Sequence, residues 1–279
     1  MMTKKMTPHT WAFNITGILN TICLNSDIDR FPVDVAAIAK EYSKQIDPDD
    51  PITLVKGEVL DNFDGGLYKA PPHKKGWGII YNNTIESQGR INFTLAHEFG
   101  HYLLHRKNIP EKIECGSNKL IRWDSTYGQI EHQANVFASN LLMPLDDYRQ
   151  QIDPARKVNF DIIGFCTERY EVSLIAATLR WIEFTECRAA IVVSRDGFIL
   201  WGRASDSAYK SGIFFKTVSQ TIPLPDGSLA SHIDLNGMVN QRQTMELTEK
   251  VWFKEPCEET VIFSENYDFV ISLLQFESF

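Results

Sequence analysis

The stretch Phe93-Thr94-Leu95-Ala96-His97-Glu98-Phe99-Gly100-His101-Tyr102-Leu103-Leu104-His105 decides how this chain is read. It contains no proline, and with its flanks it reads as one helix from Ile91 to Arg106. Residues four apart on a helix share a face, about 40° apart around the axis. His97 and His101 can therefore bring two imidazoles to one cation. Glu98 approaches the same point from the side, and in this spacing it is placed as a general base rather than a ligand. Gly100 leaves room for a second backbone element to pack closely. Phe93, Leu95, Ala96, Phe99, Leu103 and Leu104 make the helix largely buried. Buried histidines and a buried carboxylate need partners, and a metal supplies one. The plainer reading is three polar residues on a solvated helix face.

A catalytic zinc needs a third protein ligand and an open position. His105 lies eight residues from His97, about 12 Å along the helix, so it cannot share an ion with both other histidines. It is expected to support the site from behind the ligands or to be structural. A metzincin would carry histidine where Lys107 stands and glycine where Leu104 stands, so that pattern is absent. The best remaining ligand is Glu131, in Glu131-His132-Gln133-Ala134-Asn135. It sits near the start of a second helix, about Tyr127 to Met143, whose Ile130, Ala134, Phe137, Ala138 and Leu141 keep a helical period. Pro144 ends that helix. Asn135, one turn beyond Glu131, can orient a liganding histidine. Two readings of Glu131 stand here: a third ligand, or an N-terminal glutamate that favours the helix dipole. His132 is a rival ligand, about 100° around the helix from Glu131.

Outward from these helices, Trp11 to Leu24 suits a helix, and Pro32-Val33 open another with Val35, Ile38, Ala39 and Tyr42 at helical spacing. Short strands are expected at Gly57 to Leu60 and Gly66 to Tyr68, around the turn Asp64-Gly65-Gly66. Trp77 to Tyr81 reads as a further strand. Residues 107–126 read as an irregular connection. Phe160 to Phe184 has the outline of a helix-turn-helix, divided near Glu171-Val172-Ser173. Ala189 to Val193 and Phe198 to Gly202, around Asp196-Gly197, suggest a hairpin. Thr260 to Phe263 and Phe269 to Leu274 are strand-like. The expected organisation is an α+β catalytic domain at 1–150, a helical segment at 151–187 and a strand-rich domain at 188–279.

The chain has 279 residues, 43% of them apolar and 23% charged, which suits one large or two unequal folded domains. Its formal charge, 28 minus 36 or -8, disfavours broad binding of a phosphate backbone. The five cysteines form no C-x-x-C pair, which argues against a cysteine-held zinc and for reduced thiols. No signal peptide and no membrane-spanning run is read, so the expected location is the cytoplasm and no membrane partner is expected.

The stretch Phe93 to His105 resembles the ImmA/IrrE family of metallopeptidases. So does Glu131-x-x-Ala134-Asn135-x-Phe137-Ala138-x-x-Leu141-Leu142-Met143-Pro144. Both motifs occur in the family's order, and the match spans roughly residues 30 to 145. The resemblance implies a zincin-like fold with a small mixed sheet. It implies a site in which His97, His101 and Glu131 hold Zn²⁺, with Mn²⁺ as the other choice, and Glu98 activates the water. It also implies that Gly76 to Asn82, with Ile79, Tyr81 and Asn82, is the edge strand that holds an extended peptide by β-augmentation. Known members cut a helix-turn-helix transcriptional repressor and so switch on phage, mobile-element or DNA-damage genes. Longer members carry a helix-turn-helix-like segment and a GAF-like C-terminal domain. Gln133 departs from the family, in which many members carry an acid there.

Two other readings compete with a peptidase that cuts an intracellular repressor. One is a DNA-binding regulator with a vestigial peptidase fold, motivated by Phe160 to Phe184. That segment offers only Arg169 and Arg180 as basic residues, and no direct nucleic-acid contact is expected. The other is a sensor whose C-terminal domain binds a small molecule or partner. Trp201, Phe214, Phe215 and Trp252 are read there as core rather than as a pocket.

Overall fold

The protein is described from a computed structural model, over residues 6–108, 112–115, 126–232, 242–264 and 268–277. It forms two compact units, Met1–Tyr148 with Cys166–Ser173, and Arg149–Phe165 with Leu174–Phe279. The helical stretch expected at 151–187 is therefore not a segment of its own. It is shared between the units because part of it, Cys166–Ser173, packs with the first.

In chain order the first unit contains α1 (Pro8–Ser26), α2 (Val35–Ile46), β1 (Ile52–Glu58), β2 (Gly65–Lys69), β3 (Trp77–Asn82), α3 (Gln88–Leu104), β4 (Lys112–Cys115) and α4 (Thr126–Leu142). The helix starts follow local chemistry. The Thr7 hydroxyl accepts from the Thr10 N–H and Pro8 fills the first turn of α1. Asp34 caps α2 and Ser87 caps α3 in the same way. Pro32-Val33 thus precede the second helix rather than open it.

The sheet runs in the order β1-β3-β2-β4. β1 is parallel to β3, and β2 is antiparallel to both β3 and β4. This corrects two expectations. The first strand lies at Ile52–Glu58 rather than at Gly57 to Leu60. Its register on β3 ends at Glu58 opposite Asn82, and Val59 beyond it is 71% exposed. More consequentially, β3 is central, with a partner on each side, so its N–H and C=O groups are committed to the ladder. Ile79, Tyr81 and Asn82 are not on an edge. Ile79 is fully buried, and Asn82 clamps the neighbouring loops by accepting from the Leu60 and Thr84 N–H groups and donating to the Leu60 carbonyl. The irregular connection expected at 107–126 contains β4. Its remaining part, apart from residues 107, 108 and 126, lies outside the described residues.

α3 packs on β2 and β3, and α4 packs on α3. Two glycines set these distances. A Cβ on Gly65 would come within 2.5 Å of Thr94 Cγ2, so the Thr94 side chain of α3 rests directly on the Gly65 backbone. A Cβ on Gly100 would come within 3.0 Å of Phe137 Cδ1 and 3.3 Å of Ala134 Cα. Gly100 is where α3 and α4 cross closely, as its sequence position suggested.

The helices α5 (Leu145–Gln151) and α6 (Phe160–Tyr170) run across the division between units, and α7 (Leu174–Phe184) follows after three residues, with Glu171 at φ 45°. The two basic side chains that a DNA-binding role would use are both engaged. Arg169 makes a two-pronged pair with Asp147, and Arg180, 2% exposed, bonds Glu183.

The second unit adds β5 (Ala189–Arg195), β6 (Phe198–Ala204), α8 (Asp206–Lys210), β7 (Ile222–Pro223), β8 (Arg242–Leu247), β9 (Cys257–Ser264) and β10 (Phe269–Gln275). They make an antiparallel sheet in the order β7-β6-β5-β10-β9-β8. The β5–β6 hairpin turns at Asp196 and Gly197, both with positive φ, as a tight two-residue turn requires. The expected strands at Thr260 and Phe269 pair with each other in register. Ala190, Val192, Val261, Leu274 and Phe276 form the centre of its core. Of the aromatics read as core, Phe215 and Trp252 pack against it, whereas Phe214 is 46% exposed. All three border a cleft of about 240 Å³. Both units mix helix and sheet, so the chain is α+β. No helix of the described residues is long and apolar enough to cross a membrane.

Candidate metal centre

The site is made by α3 and α4. One turn of α3 places His97 and His101 on the same face, and their Nε2 atoms lie 2.9 Å apart. The close crossing at Gly100 brings in Glu131 from the first turns of α4. Its Oε2 is 3.2 Å from His97 Nε2 and its Oε1 is 3.4 Å from His101 Nε2. His101 is fully buried, while His97 and Glu131 are each 7% exposed. What little opening the cluster has is thus on the side of His97 and Glu131. Glu98 is fully buried and close enough to His97 to raise its proton affinity.

The donor set can be tested against a cation. A tetrahedral Zn²⁺ with ligand bonds of about 2.0–2.1 Å keeps its ligand atoms about 3.3–3.4 Å apart. The three separations here are 2.9, 3.2 and 3.4 Å, and the chemistry is two imidazoles and one carboxylate. The residues fit such an ion. No other cluster of three such groups occurs among the described residues.

The protonation pattern points the same way. Burial alone would lower the His97 pKa, but its hydrogen bond with Glu131 and the charges of Glu98 and Glu131 raise it. Burial, together with the neighbouring His97, pushes His101 down to about 4. Burial would raise Glu131, yet its contacts with His101 and His97 hold its carboxyl well below the usual range. Groups that draw positive charge toward one point in this way suit a divalent ion, which competes with protons for the same positions.

Each histidine is held from behind. His97 Nδ1 lies 2.8 Å from Asn135 Oδ1, and His101 Nδ1 lies 3.0 Å from His105 Nδ1. His105 Nε2 in turn lies 3.2 Å from Gln133 Oε1. The structure therefore brings together His97, His101, Glu131, Glu98, Asn135 and His105, and leaves Ile79, Tyr81 and Asn82 in the sheet interior. His132, the rival ligand, is exposed. The sequence reading marks Gln133 only as a departure from an acid that many family members carry there, and its spacing of two from Glu131 carries meaning only once the rotation of α4 against α3 is known.

Two helices crossing over a small mixed sheet, with an H-E-x-x-H pair on one and a carboxylate from the other, form a candidate metal centre of the kind that H-E-x-x-H hydrolases carry. Residues 52–181 match the family model of peptidase M78, the IrrE N-terminal-like domain. The chain is also similar to Metallopeptidase ImmA of Bacillus subtilis (strain 168), with 30% identity over 86 residues. That match covers 30% of this chain and 47% of the relative, so it spans about half the length of that protein. Over these residues the chain is similar to the ImmA/IrrE family of metallopeptidases.

Proposed function

We propose that this protein is a zinc-dependent endopeptidase that makes a selective cut in a cytoplasmic protein, a helix-turn-helix transcriptional repressor. The observation that carries the reading is the buried triangle of His97, His101 and Glu131, with Glu98 beside it. Its completeness weighs against a regulator with a vestigial site, as does the engagement of Arg169 and Arg180. The family match and the similarity to Metallopeptidase ImmA support the peptidase class.

In this reading His97, His101 and Glu131 hold the ion. Bound there, Zn²⁺ or Mn²⁺ supplies Lewis-acid polarisation of a scissile carbonyl and makes water a nucleophile near neutral pH. Glu98 is the general base. It takes the proton from the attacking water and delivers it to the leaving amine. Its burial keeps solvent from competing for that proton. An extended peptide would add to an edge of the first unit's sheet, which among the described residues means β1 or β4 rather than β3. The second unit is proposed to be a GAF-like sensor that controls the cut.

The test is to mix the full chain with Zn²⁺ or Mn²⁺ and a helix-turn-helix repressor encoded beside it, and to follow cleavage by mass spectrometry. Glu98→Gln is expected to bind the ion and lose cleavage by about 10²–10⁴-fold. Undiminished cleavage by that variant would refute the mechanism.

A further inference from the structure

We infer that His105 and Gln133 are positioning residues that fix the tautomer of His101, so that the buried ligand presents a lone pair to the cation. The inference rests on the metal site of the proposed function and concerns a different part of it.

The argument follows hydrogen atoms along three contacts. A histidine that binds a cation through Nε2 must carry its proton on Nδ1. His101 uses Nε2 toward His97 and Glu131, so Nδ1 is the protonated atom. That N–H faces His105 Nδ1 at 3.0 Å, and two N–H groups cannot share a contact. His105 Nδ1 must therefore accept, which puts the proton of neutral His105 on Nε2. The Nε2–H then needs an acceptor, and at 3.2 Å it meets the amide oxygen of Gln133. Each step forces the next. Reversing the Gln133 amide would reverse the whole series and leave a proton on His101 Nε2, where the cation belongs.

The geometry makes this more than packing. His101 is fully buried and His105 is 6% exposed, so water cannot readily supply a missing partner. His97 is held through a different side chain, Asn135, whose residue is exposed and within reach of water. The two ligands thus meet different groups behind them: the buried one a two-residue series that ends on Gln133, and the more open one an exposed amide. A glutamine ends the series without adding a charge, and any side chain of similar length with an acceptor oxygen can replace it. His105, too far along the helix to be a ligand, sits at its C-terminal cap, where its ring reaches back to His101.

The test uses the full chain with Zn²⁺ alone. Zn²⁺ affinity is measured by competition with a chromophoric chelator for wild type, Gln133→Leu and Gln133→Glu. Histidine tautomers are read by NMR of ¹⁵N-histidine-labelled, zinc-loaded wild type. The expected results are a loss of about 10–100-fold in affinity for Gln133→Leu, recovery of most of that loss in Gln133→Glu, and His105 in the Nε2–H form. Wild-type zinc binding with unchanged affinity in Gln133→Leu would overturn the inference and leave the metal site standing. So would His105 in the Nδ1–H form, which reads out even if a variant fails to fold. Failure of wild type to bind Zn²⁺ would overturn the metal site itself.

Discussion

Gly100→Ala tests how closely the α3–α4 crossing controls the site. The added Cβ would lie 3.0 Å from Phe137 Cδ1, 3.3 Å from Ala134 Cα and 3.4 Å from the Ala134 carbonyl oxygen. Carbon atoms pack best at about 3.5–4.0 Å, so the shortfall is about half an ångström. The Phe137 ring has nowhere to swing, because it is fully buried and meets Phe99 edge-on at 5.6 Å. The Ala134 contacts are backbone, so the helices themselves must separate. Glu131 lies one turn before Ala134 and moves with it. Its distances to the histidine nitrogens, now 3.2 and 3.4 Å, would open to about 3.7–3.9 Å.

Two free-energy terms oppose each other in that variant. Overpacking a core costs about 1–3 kcal/mol. Replacing glycine by alanine inside a helix returns up to about 1 kcal/mol. The expected net effect is a loss of about 0–2 kcal/mol in the stability of the metal-free protein, with a drop of about tenfold or more in Zn²⁺ affinity, the scale on which ligand-orienting changes act. Urea unfolding in chelator measures the first, and dye competition the second. A variant about 1 kcal/mol more stable than wild type, with unchanged affinity, would show that the crossing has slack and refute the reasoning.

Glu131→Ala removes one of the three donors and is expected to lose Zn²⁺ on dialysis, measured as metal content. A variant that keeps one ion per chain would remove Glu131 from the ligand set. In Gly89→Ala the Cβ would sit 2.5 Å from the Val172 carbonyl carbon and 2.8 Å from the Ser173 nitrogen, both backbone atoms. Urea unfolding is expected to show a loss of about 2–3 kcal/mol, and a neutral result would mean that this approach is loose. Asp147 is desolvated, but hydrogen bonds from Arg169 and Tyr170 hold its pKa below the ordinary value. A depressed carboxylate stabilises the fold above its unfolded pKa of about 3.9, and that stability is lost as pH falls through the lower folded value. Tyr170→Phe is therefore expected to destabilise at pH 7 and progressively less on acidification below about pH 4, so an equal effect at both would count against the coupling.

How far the sequence could be read depended on whether one element or two were needed. His97, Glu98 and His101 follow from the period of a single helix, and Asn135 follows from Glu131 on another. Gly100 signalled a close approach but not which partner made it. The sheet was less legible. Family resemblance places Trp77 to Tyr81 at an edge, and the run itself does not state how many partners it has, since only Trp77 and Ile79 are buried and the residues between and beyond them are half-buried. Its central place comes from β1 and β2 on either side, one of them paired in parallel from a distant part of the chain. The strand at Ile52 was missed because its pairing with β3 is parallel and distant, and no hairpin turn marks it.

Gln133 shows why support around a ligand is harder to see than the ligand. A donor set is constrained by chemistry at one point, so only a few residue types at a few spacings will serve. A hydrogen-bonded series behind it is constrained only by donor and acceptor order. Glutamine, glutamate and aspartate can all end such a series, and the spacing depends on how one helix is rotated against another. His105 reaches His101 within its own helix and was placed beside the site from sequence. Gln133 reaches His105 only because the α3–α4 crossing sets that rotation. The metal site and its support thus depend on the same contact, at Gly100, and a change there would be felt by Glu131 and Gln133 together.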